Sequence, residues 1–234
     1  MIEKTSPANA DIRRDFERVS PEIVRKASAF AASILADVAG RRGTLDGRIM
    51  PLSRATRVAG PAFTIEVRAG DNLMIHAALA MAKPGDVLVV DGKADRTCAL
   101  MGSIMLNACK KIGIAGVILD GAHRDTEEIL ELGFPLYSVG SNPNGPTKFV
   151  PGRINWPISC GGVAVNPGDL IVGDSDGVVI VERERADSLL DLAAKKVTDE
   201  RARIADIVAG KNLRAPWLEA SLRAAGVLKE GERL

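Results

Sequence analysis

The sequence predicts an α/β fold that ends in a long C-terminal helix, and three observations carry that prediction. Between residues 58 and 139 short apolar, β-branched runs alternate with amphipathic helical segments, the cadence of parallel βαβ units. From 153 to 183 strand-forming runs are separated by the turn sequences NPGD and SDG, which reads as antiparallel β. From Glu184 to Ala209 apolar residues recur at Leu189, Leu192, Val197, Ile204 and Val208 with the period of an amphipathic helix. The 234 residues show no composition shift that would mark a second domain. One domain is therefore expected over 1–234, with its core over about 20–183 and its C-terminal helices over 184–228.

The elements follow in order. Ser20 as N-cap with Pro21 at the first helical position starts a helix, and apolar patterning runs on to Gly40. After the turn RRGTLDGR, the runs IMPL and VAGPAFTIEV are rich in strand formers, and Gly60-Pro61 predicts a bulge or an edge. Asp71 can cap the helix NLMIHAALAMA, which the turn Pro84 to Asp86 ends before the buried strand VLVV. The helix SIMLNACKKIG, the strand AGVILD, the helix TEEILELG and the strand PLYSV repeat the cadence. A loop rich in turn formers spans Gly140 to Arg153, and Ala215 to Ala225 forms a last helix. A long C-terminal helix with few neighbours suits packing on another subunit.

Composition excludes several functions. Lys plus Arg total 31 against 30 Asp plus Glu, a net charge of +1, and aromatics make up 3%, so neither a polyanion field nor a base-stacking platform is present and no nucleic-acid partner is expected. No window reaches the ~18 continuous apolar residues of a membrane span, and the first 20 residues lack the apolar core of a signal peptide, so a cytoplasmic protein without membrane contact is expected. Cys98, Cys109 and Cys160 match no disulfide or CxxC pattern and read as small buried hydrophobes. The motifs GxGxxG, GxxxxGK[ST], GxSxG and HExxH do not occur.

Chemistry concentrates in AGVILDGAHRDTEEIL. A strand ending at Asp120 and a loop over 121–125 bring polar side chains to the carboxyl end of a strand, where α/β sheets bind ligands. Asp125 with Glu128 three residues on also fits a helix cap. Alternatively, Arg124 would face a substrate oxyanion and Asp125 a hard divalent cation; the local sequence leaves both open. In ALMGSIMLN, Gly102 permits close backbone approach and Ser103 can cap the helix that follows; on its own the segment reads as an ordinary helix start, and alternatively the free amides of Ser103, Ile104 and Met105 would hold a small carboxylate. Glu200 reads as a solvated carboxylate paired with Lys196 or Arg203. His76 reads as a structural histidine on an apolar helix face, with Asn72 one turn earlier able to join it beside a cavity.

The strings PGDVLVVDG, ALMGSIM, GIAGVILDGAHRD and CGGVAVNPGDLIVGDSDGVVIV, with a late glutamate followed by AGK, resemble the RraA-like superfamily over about residues 20–228. That superfamily contains 4-hydroxy-4-methyl-2-oxoglutarate / 4-carboxy-4-hydroxy-2-oxoadipate aldolases and the regulators of ribonuclease E. The resemblance implies an α/β/β sandwich of the swivelling type, assembled as a homotrimer or a dimer of trimers. It implies a metal-dependent lyase that cleaves a 4-hydroxy-2-oxo acid to pyruvate and a second oxo acid, with possible oxaloacetate decarboxylation; the other reading is a non-catalytic interaction protein like the regulators. Position by position, Asp125 matches the ligand of a divalent metal, Mg or Mn, and Arg124 the residue facing the keto oxygen. Ile104 and Met105 match the amides that hold the pyruvate carboxylate, Asn72 and His76 a helix near the pocket, and Glu200 a glutamate supplied by a neighbouring subunit. Ser103 departs from the aldolases, which carry an acidic residue after the glycine, and that departure predicts weaker metal affinity or a different reaction. A Schiff-base mechanism would need Lys93 or Lys148, both in polar loop sequence that offers no means of lowering a lysine pKa.

Overall fold

The computed structural model describes residues 12–234, so the polar stretch before residue 12 lies outside the described residues. The chain opens with helices α1 (Pro21–Ala27) and α2 (Ala32–Val38), strands β1 (Met50–Pro51) and β2 (Val58–Glu66), and helix α3 (Leu73–Leu79). Strand β3 (Val87–Met101), helix α4 (Ser103–Ile112), strand β4 (Gly116–His123), helix α5 (Thr126–Leu132) and strand β5 (Leu136–Ser141) follow. Short strands β6 (Arg153–Ile154), β7 (Ile158–Cys160) and β8 (Val163–Val165) precede β9 (Leu170–Asp174) and β10 (Gly177–Val181), and helices α6 (Ala186–Val208) and α7 (Leu218–Ala224) close the chain.

Strands β2 to β5 are parallel neighbours in the order β5-β4-β3-β2, with Thr64 opposite Val89 and Val89 opposite Ile118. Beyond β2 the sheet continues antiparallel through β9 and β10, as the turn sequences predict, and β1 closes the far edge on β5. The parallel strands are apolar at successive positions because both faces are covered. Leu88 and Val90 face Ile75, Leu106 and Ile129 of α3, α4 and α5, while Val87 and Val89 face Ile158, Val165, Ile171 and Ile180 of the antiparallel strands. The result is a helix layer, a parallel sheet and a second β layer. A third cluster packs Ala27 and Leu35 of the first two helices, with Leu189 and Leu190 of α6, against Val172, Val179 and Val181.

Three expectations change. The apolar run from Ser20 to Gly40 breaks at 28–31 into two helices, because Asp174 Oδ2 accepts the Ala32 amide at 2.8 Å and so starts α2 afresh. Gly60-Pro61 sits inside β2 rather than at an edge; Pro61 pairs with Leu170 one residue before β3 joins on the other side, so its missing N–H costs no ladder bond there. A Cβ at Gly60 would lie 2.4 Å from the Gly85 carbonyl oxygen, which is why the position needs glycine. Finally, β4 does not end at Asp120 but pairs on through Ala122 and His123 with Gly140 and Ser141.

The chain divides into two compact units, one up to Ala193 and one over Ala194–Leu234, with α6 running through the boundary. In the second unit Arg203 donates to the Arg214 carbonyl at 2.8 Å and Arg214 to that of Leu234 at 2.7 Å. Among the described residues no helix is long and apolar enough to cross a membrane. All three cysteines are buried and free, as expected, and burial pushes the Cys109 thiol up to about 12.

Candidate active site at the carboxyl ends of β3 and β4

Strands β3 and β4 end side by side, with Met101 opposite His123 and the Arg124 amide donating to the Met101 carbonyl at 3.0 Å. Each strand passes into its helix through the shortest of connections: Gly102 before α4, and Arg124 with Asp125 before α5. Asp125 adopts a left-handed conformation (φ 63°, ψ 46°), which costs a non-glycine residue of order 1 kcal/mol and turns its side chain away from its own helix. The expected D-x-x-E cap is therefore absent. Instead Asp125 Oδ2 accepts from the backbone N–H of Ser103 at 2.9 Å and from its hydroxyl at 3.0 Å, so the carboxylate caps the neighbouring helix α4.

Gly102 makes that arrangement possible. A Cβ there would lie 2.5 Å from Asp125 Oδ2 and 3.1 Å from Arg124 Cγ, so any other residue would displace the carboxylate from its place. Arg124 Nε stands 3.8 Å from Asp125 Oδ1, with both side chains partly exposed, and the guanidinium reaches the loop after β5, where a Cβ on Gly145 would lie 3.1 Å from Nη1. Of the three amides expected to be free at the start of α4, that of Ser103 is engaged by Asp125 and that of Met105 donates to the Gly102 carbonyl at 3.1 Å. Ile104 keeps an unengaged amide among the described residues, beside a side chain that is 82% exposed.

Two residues outside the expected site set hold this corner in place. Buried His123 bonds Ser138 Oγ through Nδ1 at 2.8 Å and Thr126 Oγ1 through Nε2 at 3.1 Å, tying β4 to β5 and α5. Burial pushes its pKa down, so the ring is neutral, with one nitrogen donating and the other accepting. Asp71 does serve α3, accepting the Leu73 amide at 3.0 Å, but its second oxygen also accepts from Thr147 Oγ1 at 2.6 Å and from the amides of Phe149 and Val150. Burial alone would raise its pKa; these bonds prevail and hold it at about 2. The signal available for these two roles was slight: a second histidine inside the RD motif, and an aspartate before a helix. Asp120 turns to the opposite sheet face, where it pairs with Arg48 and accepts the Gly161 amide at 2.8 Å.

The remaining expected residues divide. Asn72 is buried beside α4, donating Nδ2 to the Leu100 carbonyl at 2.8 Å and toward Met105 Sδ at 3.5 Å, while its Oδ1 has no partner among the described residues. His76, by contrast, is exposed, which corrects the expectation of a structural histidine on an apolar face. Glu200 lies in the second unit and pairs with Lys196 at 2.9 Å, four residues earlier on α6. Lys148 is exposed; Lys93 pairs with Asp91 at 2.7 Å and Glu66 at 2.9 Å. Burial lowers the Lys93 pKa but those two carboxylates outweigh it and raise it, the wrong direction for a Schiff-base amine. Among the described residues no three His, Cys, Asp or Glu side chains gather as a metal cage. Asp125 Oδ1 nonetheless accepts no hydrogen bond from them. One open carboxylate oxygen beside a helix start fits a hard, largely hydrated cation such as Mg²⁺ or Mn²⁺, and does not fit a three-ligand zinc centre.

The family model for RraA-like proteins, described as Aldolase/RraA, matches residues 22–180. A protein of Halalkalibacterium halodurans named "Putative 4-hydroxy-4-methyl-2-oxoglutarate aldolase" is 45% identical over 159 residues, 68% of this chain and 76% of that protein. One of Burkholderia multivorans with the same name is 35% identical over 142 residues, 61% of this chain and 86% of its own. The crystal structure of Streptomyces coelicolor RraAS2, described as an unusual member of the RNase ES inhibitor RraA protein family, superposes with a TM-score of 0.75 at 28% identity, covering 81% of this chain and 98% of that one.

Proposed function

This chain belongs to the RraA-like family, and from that membership we propose that it is a metal-dependent lyase cleaving a 4-hydroxy-2-oxo acid to pyruvate and a second oxo acid. The observation that carries the reading is the Asp125 carboxylate held on the first turn of α4 with Arg124 beside it, over a glycine whose missing Cβ gives the carboxylate its space. The names of the two aldolase relatives support the substrate class.

In this mechanism the substrate carboxylate sits at the Ile104 amide, where the helix start favours an anion. Arg124 faces the C2 keto oxygen. A base takes the C4 hydroxyl proton, the C3–C4 bond breaks, C4 becomes a carbonyl, and the electron pair moves into a C2–C3 enolate whose oxygen Arg124 stabilises. Protonation at C3 gives pyruvate. The base would be Glu200 of a neighbouring copy in a trimer or dimer of trimers, a role that the resemblance to the family supports. Asp125 would hold the divalent cation, which supplies Lewis-acid polarisation of the keto oxygen. Oxaloacetate losing CO₂ leaves the same enolate, so decarboxylation requires no further residue. Asn72, at the start of α3, lies beside the start of α4 through its bonds to Leu100 and Met105, and the family resemblance would bring exposed His76, one turn on, to the pocket as well.

Metal-dependent release of pyruvate from oxaloacetate, followed with and without a chelator, tests the assignment; a rate unaffected by the chelator would remove the metal from it. A second reading, a non-catalytic interaction protein, is favoured by the likeness to the ribonuclease-inhibitor protein. It predicts no pyruvate from either substrate class at any metal concentration.

A further inference from the structure

A cavity of about 640 Å³ opens at the end of the sheet opposite the Arg124–Asp125 corner. It lies where β2 and β3 begin, between α1, the segment after it, and strand β9, whereas Arg124 follows the end of β4, which runs parallel to both strands. Its size falls within the range of small-molecule sites, roughly 300–1,000 Å³. The floor is apolar, from Val24, Phe30, Val58, Ala59 and Val172.

The charge around it is one-sided. Arg18 is spent on buried Asp86, which it grips with two bonds of 2.7 and 2.9 Å, and the same carboxylate accepts the Lys83 amide at 2.8 Å, fixing the turn that forms the rim. Arg25, Arg57 and Lys83 also line the cavity, are exposed, and make no ion pair among the described residues. Among the described residues Asp86 is the one acidic side chain in the lining, and it is already paired. Three uncompensated cations over an apolar floor form a complement to a molecule that is itself divided into an acidic group and an apolar body.

We propose that this cavity binds an organic anion with an apolar body, its carboxylate, sulfonate or phosphate held by Arg57, Lys83 and Arg25 and its body against Val24, Phe30 and Val172. Such a ligand differs from a small polar oxo acid, and its site shares no residue with the Arg124–Asp125 corner.

Two fluorescent probes with one ring system test this on the full chain as purified: anilinonaphthalene sulfonate, which is anionic, and phenylnaphthylamine, which lacks the sulfonate. The anionic probe should bind saturably at one site per chain. Arg57→Glu combined with Lys83→Glu should weaken it about a hundredfold, roughly tenfold for each of the two charge-assisted contacts removed, while phenylnaphthylamine binding and the melting temperature stay unchanged. Ala59→Phe, which fills the floor, should weaken both probes. The proposal is overturned if the anionic probe shows no saturable binding, as it would were a second copy covering the cavity. It is equally overturned if the double charge reversal leaves that binding intact or lowers both probes alike.

Discussion

Asp125 stands at the point where one side chain does two things. Its Oδ2 caps α4 through Ser103, and under the proposed function its Oδ1 would take the cation, so structural and catalytic losses can be separated by degree. Gly102→Ala should be the sharper variant: a Cβ 2.5 Å from Oδ2 must displace the carboxylate, and we expect at least a ~100-fold fall in turnover with a loss of stability of only about 1–2 kcal/mol, checked by steady-state rates beside denaturant melts. Arg124→Lys should be similarly impaired, because an ammonium lacks the planar fork that spans two neighbouring oxygens; near-normal kcat would deny Arg124 the keto oxygen. Ser103 supplies a distinguishing case. Its hydroxyl donates to Asp125, so Ser103→Asp would set two carboxylates together and lower stability in the absence of metal through like-charge repulsion. Added Mg²⁺ should then raise the melting temperature of Ser103→Asp more than that of the wild type and lower the metal concentration needed for half-maximal activity. Equal metal requirements in the two proteins, with a raised KM in the variant, would point instead to a substrate carboxylate occupying that space.

At the scale of elements, the strand-helix connections decide what the site can be. The residues β-branched at successive positions, the glycine after CALM and the RD pair before TEEIL were legible as strands and helix starts because local propensity and tertiary demand agree there. The direction of the Asp125 side chain was not legible: it depends on a left-handed φ and on a partner 22 residues away in sequence, neither of which periodicity encodes. The break between α1 and α2 escaped for the same reason, since its cap comes from Asp174 in β9. Asp71 is another such long-range anchor, joining the start of α3 to the loop whose Gly145 adjoins Arg124. With a folded pKa near 2, below the ordinary 3.8, it contributes stability that is fully present above about pH 4 and lost as pH falls toward 2, about 2 kcal/mol in all. Asp71→Asn should therefore lower stability at pH 7 by roughly that amount and flatten the acid limb of the stability curve. An unchanged slope between pH 4 and 2 would contradict the tether.

For the whole molecule, composition excluded more than it identified. A net charge of +1 and few aromatics argued against nucleic acid, and the alternation of β and α runs pointed to parallel strands, whose apolar residues at successive positions reflect cover on both faces. The family came from short strings spread over β3, α4, β4 and the run from Cys160 to Val181, and that likeness is borne out by the match over residues 22–180. Glu200, assigned by that likeness to a neighbouring copy, sits in the second compact unit as a solvent-facing pair with Lys196, the reading its helical spacing had favoured. The most direct test of the account is a metal titration of pyruvate release from 4-hydroxy-4-methyl-2-oxoglutarate by the wild type and by Asp125→Ala. The account predicts saturable dependence on Mg²⁺ or Mn²⁺ in the wild type and no metal-dependent release from a variant that still folds; equal release by both proteins, or none by the wild type, would contradict it.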